Sequence, residues 1–260
     1  MRIELRGVRK TFGPVQVLRG IDFTLSTGGR AALIGPNGSG KSTLGRAILG
    51  LIACEGEVRL DGRSPFVDRL STARRVAYVP QVAPQISATV DELVATVTTT
   101  RGLSRTAVAA EAAALALDLD AVRGRAFRLL SGGMKQKLLI ALALAAEPAL
   151  YVLDEPTASL DAASRERFFA RFAERAAGAT VLLCSHRLEE IRQLTVSVLA
   201  LDEGRVAYDG PAEGYTGLPS PDGVEHLDPQ TPPNSRLRRV ASVTAPPALP
   251  GGQPCLPDCP

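Results

Sequence analysis

The sequence predicts an α/β fold: a parallel-sheet core flanked by helices, an antiparallel β subdomain at the N-terminal end, and a small α-helical subdomain inserted into the core. Short apolar runs (Ala31 to Ile34, Val76 to Val79, Leu150 to Leu153 and Val181 to Cys184) alternate with longer segments rich in Ala, Leu and Arg. That alternation is the pattern of buried strands flanked by helices. At the opening of the chain, Ile3 and Leu5 alternate with Arg2, Glu4 and Arg6, and Ile21, Phe23 and Leu25 alternate with Asp22 and Thr24. This is the period of half-buried strands, hence the antiparallel sheet. Between Gln85 and Leu129 the strand signals fade and Glu111 to Leu117 with its neighbours reads as helix, so the helical subdomain is placed at about residues 85–145. A hairpin, Val196 to Leu201 and Arg205 to Tyr208 joined by Asp202-Glu203-Gly204, closes an ordered domain of residues 1–210.

Residues 211–260 hold 12 of the 19 prolines and show no periodicity, so they read as a mostly disordered tail. The 30 basic and 27 acidic side chains leave a net charge of +3, which argues against the basic stripe of a dedicated nucleic-acid binder. No nucleic-acid partner is expected. Cys54, Cys184, Cys255 and Cys259 are too few and too unevenly spaced for a disulfide scaffold, and the last two read as incidental thiols in the tail. The stretch Met1 to Val8 carries Arg2, Glu4 and Arg6 and lacks the apolar run of a secretory signal. The longest apolar run, Leu138 to Ala146, is about half of the ~18 to 20 residues of a membrane-spanning helix. Any membrane role is therefore expected to come through a partner.

Gly35-Pro36-Asn37-Gly38-Ser39-Gly40-Lys41-Ser42 matches the phosphate-binding loop pattern at every fixed position, between a strand and a helix. The helix is read from the stripe Leu44, Ala47, Ile48 and Leu51. Glycines let backbone N–H groups turn towards phosphate oxygens, and the helix N-terminus adds partial positive charge. Lys41 is expected on the β- and γ-phosphates of a nucleotide and Ser42 on Mg2+, and Thr43 is counted with the nucleotide-binding set. The core is thereby predicted to be a P-loop NTPase (RecA-like) core. Leu150 to Leu153 runs into Asp154 and Glu155. Strand alternation gives the two carboxylates different uses, Asp154 on the metal directly or through water, Glu155 to orient or deprotonate the attacking water.

Leu130-Ser131-Gly132-Gly133-Met134-Lys135-Gln136 is a glycine-rich helix start with Ser131 as its natural N-cap. With the motifs above, this segment resembles the signature of the nucleotide-binding subunits of ATP-binding cassette (ABC) transporters, Leu-Ser-Gly-Gly-Gln. The resemblance covers about residues 1–210. It implies further roles: Phe12 stacks on adenine; Gln81, after Tyr78-Val79-Pro80, touches Mg2+ and the water and relays nucleotide state to the helical subdomain. Asp161, in Ser159-Leu160-Asp161, belongs to the loop linking two sites of a dimer, and His186 contacts the γ-phosphate. Met134 in place of glutamine, Ala158 where serine is common and Phe12 in place of tyrosine depart from the family pattern without removing a charged catalytic group.

The resemblance also implies two ATP molecules held between two such subunits, a homodimer or heterodimer arranged head to tail. In that dimer Ser131, Gly132 and Gly133 of one subunit cover the nucleotide on Lys41 of the other. Separate transmembrane permease subunits would receive the cycle near the surface between Gln81 and the helical subdomain, which puts the chain peripherally on the cytoplasmic face of the cell membrane. The rival is a non-transport ABC ATPase driving assembly or remodelling of a soluble complex. The short helical subdomain is more similar to exporters and cofactor-maturation systems than to sugar importers, and Ser185-His186-Arg187-Leu188-Glu189-Glu190-Ile191 is similar to subunits serving copper-site maturation of nitrous oxide reductase.

Overall fold

The computed structural model describes residues 1–215. Most of the Pro-rich segment, with Cys255 and Cys259, lies outside the described residues. The alternating N-terminal residues form β1 (Ile3–Phe12) and β2 (Val15–Leu25), paired antiparallel. On the other edge of β1 lies β4 (Glu55–Leu60), also antiparallel, giving a three-stranded sheet in the order β2-β1-β4. The periodicity arguments do not reach β4, because only Val58 and Leu60 of its six residues are buried. Its pairing with β1, Leu5 opposite Val58 and Ile3 opposite Leu60, makes it a strand.

The main sheet has six strands in the order β5-β6-β7-β3-β8-β9, from β3 (Arg30–Ile34), β5 (Val76–Val79), β6 (Leu150–Asp154), β7 (Thr180–Cys184), β8 (Ser197–Asp202) and β9 (Arg205–Pro211). All neighbours are parallel except β9, which returns antiparallel to β8. The turn between β8 and β9 places Glu203 and Gly204 at φ 44° and 77°, the twist that suits a two-residue hairpin. Strand β9 continues to Pro211 and Ala212 donates its N–H to Val196 O at 3.1 Å, so regular structure runs past the boundary read at 210.

Strand alternation divides the interior in two. Leu150, Val152, Leu182, Cys184, Leu199 and Leu201 face one core with the antiparallel sheet and α1 (Lys41–Ile48). Tyr151, Leu153, Val181, Leu183, Val198 and Ala200 face the other, with α7 (Ala162–Arg175) and the helical segment. Burial on both faces is why these strands read as continuous apolar runs. The helical segment comprises α3 (Val90–Arg101), α4 (Arg105–Ala114), the single turn α5 (Leu119–Val122) and α6 (Gly132–Ala145). Thr89 and Glu92 close a reciprocal capping box at the start of α3. The apolar run from Leu138 is the body of α6, enclosed by protein on nearly every side. A buried Glu111 on α4, bonded by Arg171 at 2.7 and 2.9 Å, ties this segment to α7. Among the described residues no helix is long and apolar enough to cross a membrane.

Two helix limits differ from the periodicity. Leu51 is not part of the α1 stripe: Gly50 adopts φ 69°, its N–H bonds Ala47 O, Leu51 N–H bonds Arg46 O, and Leu51 is exposed. This double bond pattern is the glycine stop of a helix. Helix α4 ends at Ala114, because Ala116 takes φ 55° and turns Leu117 into the core as part of a loop.

Candidate functional site

Parallel strands end on one edge of the sheet, and ligands of such sheets bind at that edge where the strand order reverses. Here β3 lies between β7 and β8, and the chain leaving β3 is the Gly35–Ser42 loop. Gly35 has φ 144°, and a Cβ there would lie 2.1 Å from Leu201 O, so only glycine allows the loop to leave the sheet. Helix α1 starts at Lys41 with no side-chain cap and no acidic residue in its first turn, which leaves its N–H groups for an anion. The Lys41 ammonium donates to Gly35 O at 2.6 Å and Pro36 O at 2.9 Å, so it sits over the loop. The Ser39 hydroxyl is buried inside the loop without a hydrogen-bond partner among the described residues.

A cavity of about 690 Å³ opens over this loop, lined by Val17, Gly35, Pro36, Asn37, Gly38, Gly40, Lys41, Ser42, Thr43, Gln81, Asp154, Glu155 and His186. Strand order alone brings these distant residues together. Gln81 follows β5, Asp154 ends β6 and His186 follows β7. Val17 is the lining residue that sequence reasoning missed, since nothing in β2 distinguishes it from its neighbours.

Asp154 and Glu155 are separated by a different device from the one expected. Strand β6 stops at Asp154, and Glu155 takes φ 48° with its N–H bonded to Cys184 O at 2.8 Å. A sharp left-handed turn, not alternation, redirects the second carboxylate. Non-glycine residues at such angles are strained and concentrate at functional sites. Nδ1 of His186 lies 2.6 Å from Glu155 Oε1, within hydrogen-bond distance. Burial pushes the Glu155 carboxyl above its ordinary range, the His186 bond opposes this, and Glu190 adds to it. Burial also raises Asp154, against the pull of Arg46 and Lys41.

The donor set fits the two implied ligands. A glycine cradle with a lysine and free helix N–H groups suits polyphosphate. Ser42 hydroxyl, Asp154 carboxylate and Gln81 amide are the hard oxygen donors that suit Mg2+, an ion that completes its shell with water and phosphate oxygens.

A second group stands apart. Ser131 caps α6, accepting from Met134 N–H at 3.3 Å, and Gly133 passes so close to the Ser159 loop that a Cβ would lie 3.1 Å from Ser159 O. Asp161 caps α7, accepting from Ser164 N–H at 2.8 Å and from its hydroxyl at 3.0 Å, bonds that hold its carboxyl below the usual range. Neither Ser131, Gly132, Gly133 nor Asp161 lines the phosphate cavity. Phe12 is outside that lining as well, 48% exposed at the end of β1 with Lys10 Nζ 4.8 Å from its ring centre.

The sequence profile described as ABC transporter matches residues 18–158, more than half of the chain. The chain belongs to the ABC transporter ATP-binding family. It is accordingly an ATP-binding protein of a family of ATP-hydrolysing transporter ATPases. A Nod factor export ATP-binding protein I of Bradyrhizobium diazoefficiens is 37% identical over 214 residues, 78% of this chain and 68% of the relative. An aliphatic sulfonates import ATP-binding protein SsuB of Rhodopseudomonas palustris is 35% identical over 228 residues, 85% of this chain and 76% of the relative. Among solved structures, an ATP-binding subunit of an ABC transporter superposes with a TM-score of 0.74 at 29% identity, covering 82% of this chain and 91% of that one. These ABC-family likenesses agree with the parallel core and the antiparallel β subdomain described above.

Proposed function

We propose that this ABC protein works as one of two ATP-hydrolysing subunits, packed head to tail on the cytoplasmic face of a membrane, driving separate transmembrane permease subunits. The observation that carries the reading is the separation of two glycine-rich helix starts, one inside the phosphate cavity and one outside it. A capped helix start that lies off its own subunit's phosphates suits the nucleotide of a second subunit.

In each site the loop N–H groups and Lys41 bind and orient the polyphosphate, Phe12 offers its exposed ring to adenine, and His186 touches the γ-phosphate. Mg2+, held by Ser42, Asp154 and Gln81, would supply charge neutralisation on the phosphate oxygens. Glu155 orients a water and takes its proton as the water oxygen attacks the γ-phosphorus. The bond from that phosphorus to the bridging oxygen breaks, releasing ADP and inorganic phosphate. Its raised proton affinity makes the buried carboxylate a better base than an exposed one. Loss of the γ-phosphate removes the contacts that hold two subunits closed.

For the permease contact, a cavity of about 480 Å³ lined by Leu49, Leu51, Pro65, Arg69, Tyr78 and Arg101 lies where α1, α2 (Arg69–Arg75), β5 and α3 meet. The exposed side chains of Leu70 on α2 and of Leu51, Val67 and Val82 in the connections after α1, before α2 and after β5 support docking there. Export or cofactor maturation rather than sugar import is the reading that the short helical segment supports.

Glu155→Gln tests the site: ATP and Mg2+ binding should persist while phosphate release falls at least about 100-fold, and hydrolysis near wild type would remove Glu155 as the base. Purification from membranes tests the partner. A polytopic protein retained with the chain supports transport, whereas a soluble scaffold retained in its place would turn the reading to an assembly ATPase.

A further inference from the structure

The turn that carries Glu155 is held from two sides by buried polar groups that touch neither strand ladder. On one side Gln136 of α6, 2% exposed, donates its amide N–H to Pro156 O at 3.0 Å. On the other, Thr157, fully buried, donates its hydroxyl to Glu190 Oε1 on α8 (Leu188–Leu194). Glu190 is itself fully buried, and its Oε2 has no hydrogen-bond partner among the described residues. Ile191 and Leu194 are the other buried residues of that helix, so an apolar side chain at 190 would meet the packing need alone. A carboxylate buried against one neutral hydroxyl is expensive to desolvate, and natural cores keep such a group where it does something an apolar one cannot.

The two bonds fall on the two residues that immediately follow Glu155. Helix α8 follows His186, the other member of the Glu155–His186 contact, and α6 begins at Gly132, directly after its cap Ser131. We propose that Gln136, Thr157 and Glu190 are positioning residues for hydrolysis, a clamp that fixes the Pro156–Thr157 backbone so that Glu155 keeps its left-handed turn and its carboxylate beside His186. Through Gln136 the same clamp ties the Glu155 turn to the helix of the signature, so a shift of α6 reaches the reacting end of the cavity by a single hydrogen bond. The proposal rests on the reading of Glu155 as the water-orienting group.

The test is steady-state ATPase of the full chain, with its membrane subunits where turnover requires them, alongside ATP–Mg2+ affinity and melting temperature. Thr157→Val removes the donor while keeping the shape. It should lower kcat by roughly 10- to 100-fold, as a small misplacement of a reacting group does, with KM and affinity within about threefold of wild type. Thr157→Ser restores the hydroxyl and should recover most of kcat, and Glu190→Gln, whose amide oxygen still accepts, should resemble it. If Thr157→Val does not fold, Gln136→Met takes its place, with the same split of kcat from KM expected.

A double-mutant comparison separates positioning from packing. Placed on Glu155→Gln, Thr157→Val should cost the residual rate less than about twofold, because there is no longer a carboxylate to position. An unchanged kcat in Thr157→Val, equal damage in Thr157→Ser, or the full loss repeated on Glu155→Gln would each overturn the clamp. Wild-type hydrolysis by Glu155→Gln alone would overturn the reading of Glu155, a result distinguishable from all of these.

Discussion

The phosphate loop and the signature start are built from the same chemistry, small residues leading into a helix whose first turn carries no acid. Their glycines do different work. Gly35 occupies a backbone region closed to other residues, with β8 backbone in the place of a Cβ, whereas neither Gly132 nor Gly133 takes a positive φ. A Cβ on Gly132 would meet Ser159 only at 3.8 Å, an ordinary contact. The phosphate-loop glycine is required by the subunit's own fold and Gly133 is pressed against Ser159 O, while Gly132 leaves open a surface that the isolated subunit does not fill. Local composition thus made two helix starts look alike, and their surroundings separate one that lines a cavity from one that does not.

The sharpest way to break this comparison is complementation. Lys41→Ala damages the cradle and leaves the signature intact; Gly133→Asp does the reverse, pressing on Ser159 O of its own subunit and placing a carboxylate where the partner's γ-phosphate is expected. Each homodimer should lose hydrolysis by at least about 100-fold, while a mixed dimer retains one intact site and roughly half of one wild-type dimer's potential sites. A purified mixed dimer no more active than either parent would mean that the two starts do not act across subunits.

Alanine at the glycines comes next. Gly35→Ala should lose nucleotide binding and melt well below wild type, since its Cβ meets a carbonyl inside contact distance and its φ is disallowed. Strain of this kind costs about 1 to 3 kcal/mol before the clash is counted. Gly132→Ala should melt within about 2 °C of wild type and show its defect only in turnover of the assembled dimer. Calorimetry and nucleotide titration on the two variants decide this, and a fold defect in Gly132→Ala would erase the distinction.

Ser131→Ala removes a helix cap worth about 1 kcal/mol, a fall of about 2 to 4 °C in Tm for a domain of this size. Ser131→Asp restores the cap but adds a charge, so it should recover the Tm without recovering the ATPase. Equal recovery of both would make Ser131 a cap alone.

The smallest effect concerns the strained carboxylate. Because burial raises the Glu155 carboxyl above its ordinary range, the folded state holds that proton to higher pH than the unfolded chain does. Stability therefore falls as pH rises from the ordinary glutamate range through the raised value, and the deficit is complete above it. Glu155→Gln should raise the Tm of the nucleotide-free protein at neutral pH, with the gain vanishing below the ordinary range. A lower Tm for the variant at neutral pH would mean that the His186 bond outweighs burial.

The sequence by itself determined the elements whose physics is local. A strand, glycines at fixed offsets, a lysine and a helix start within a few residues specify an anion cradle whatever surrounds them, and Ser131 and Asp161 cap their helices through contacts three residues away. Continuous apolar runs likewise made the buried strands legible, and period-two alternation the first antiparallel pair. Only the tertiary structure decided which strand ends lie side by side, and so which of Gln81, Asp154, Glu155, His186 and the signature residues share a cavity. It also decided that β4 is a strand, that Leu51 faces outwards, and that Gln136 and Glu190 reach the Pro156–Thr157 turn from two sides. Those outcomes depend on pairing between segments far apart in the chain, where a side chain's worth is set by what arrives opposite it and no spacing along the sequence records the arrival.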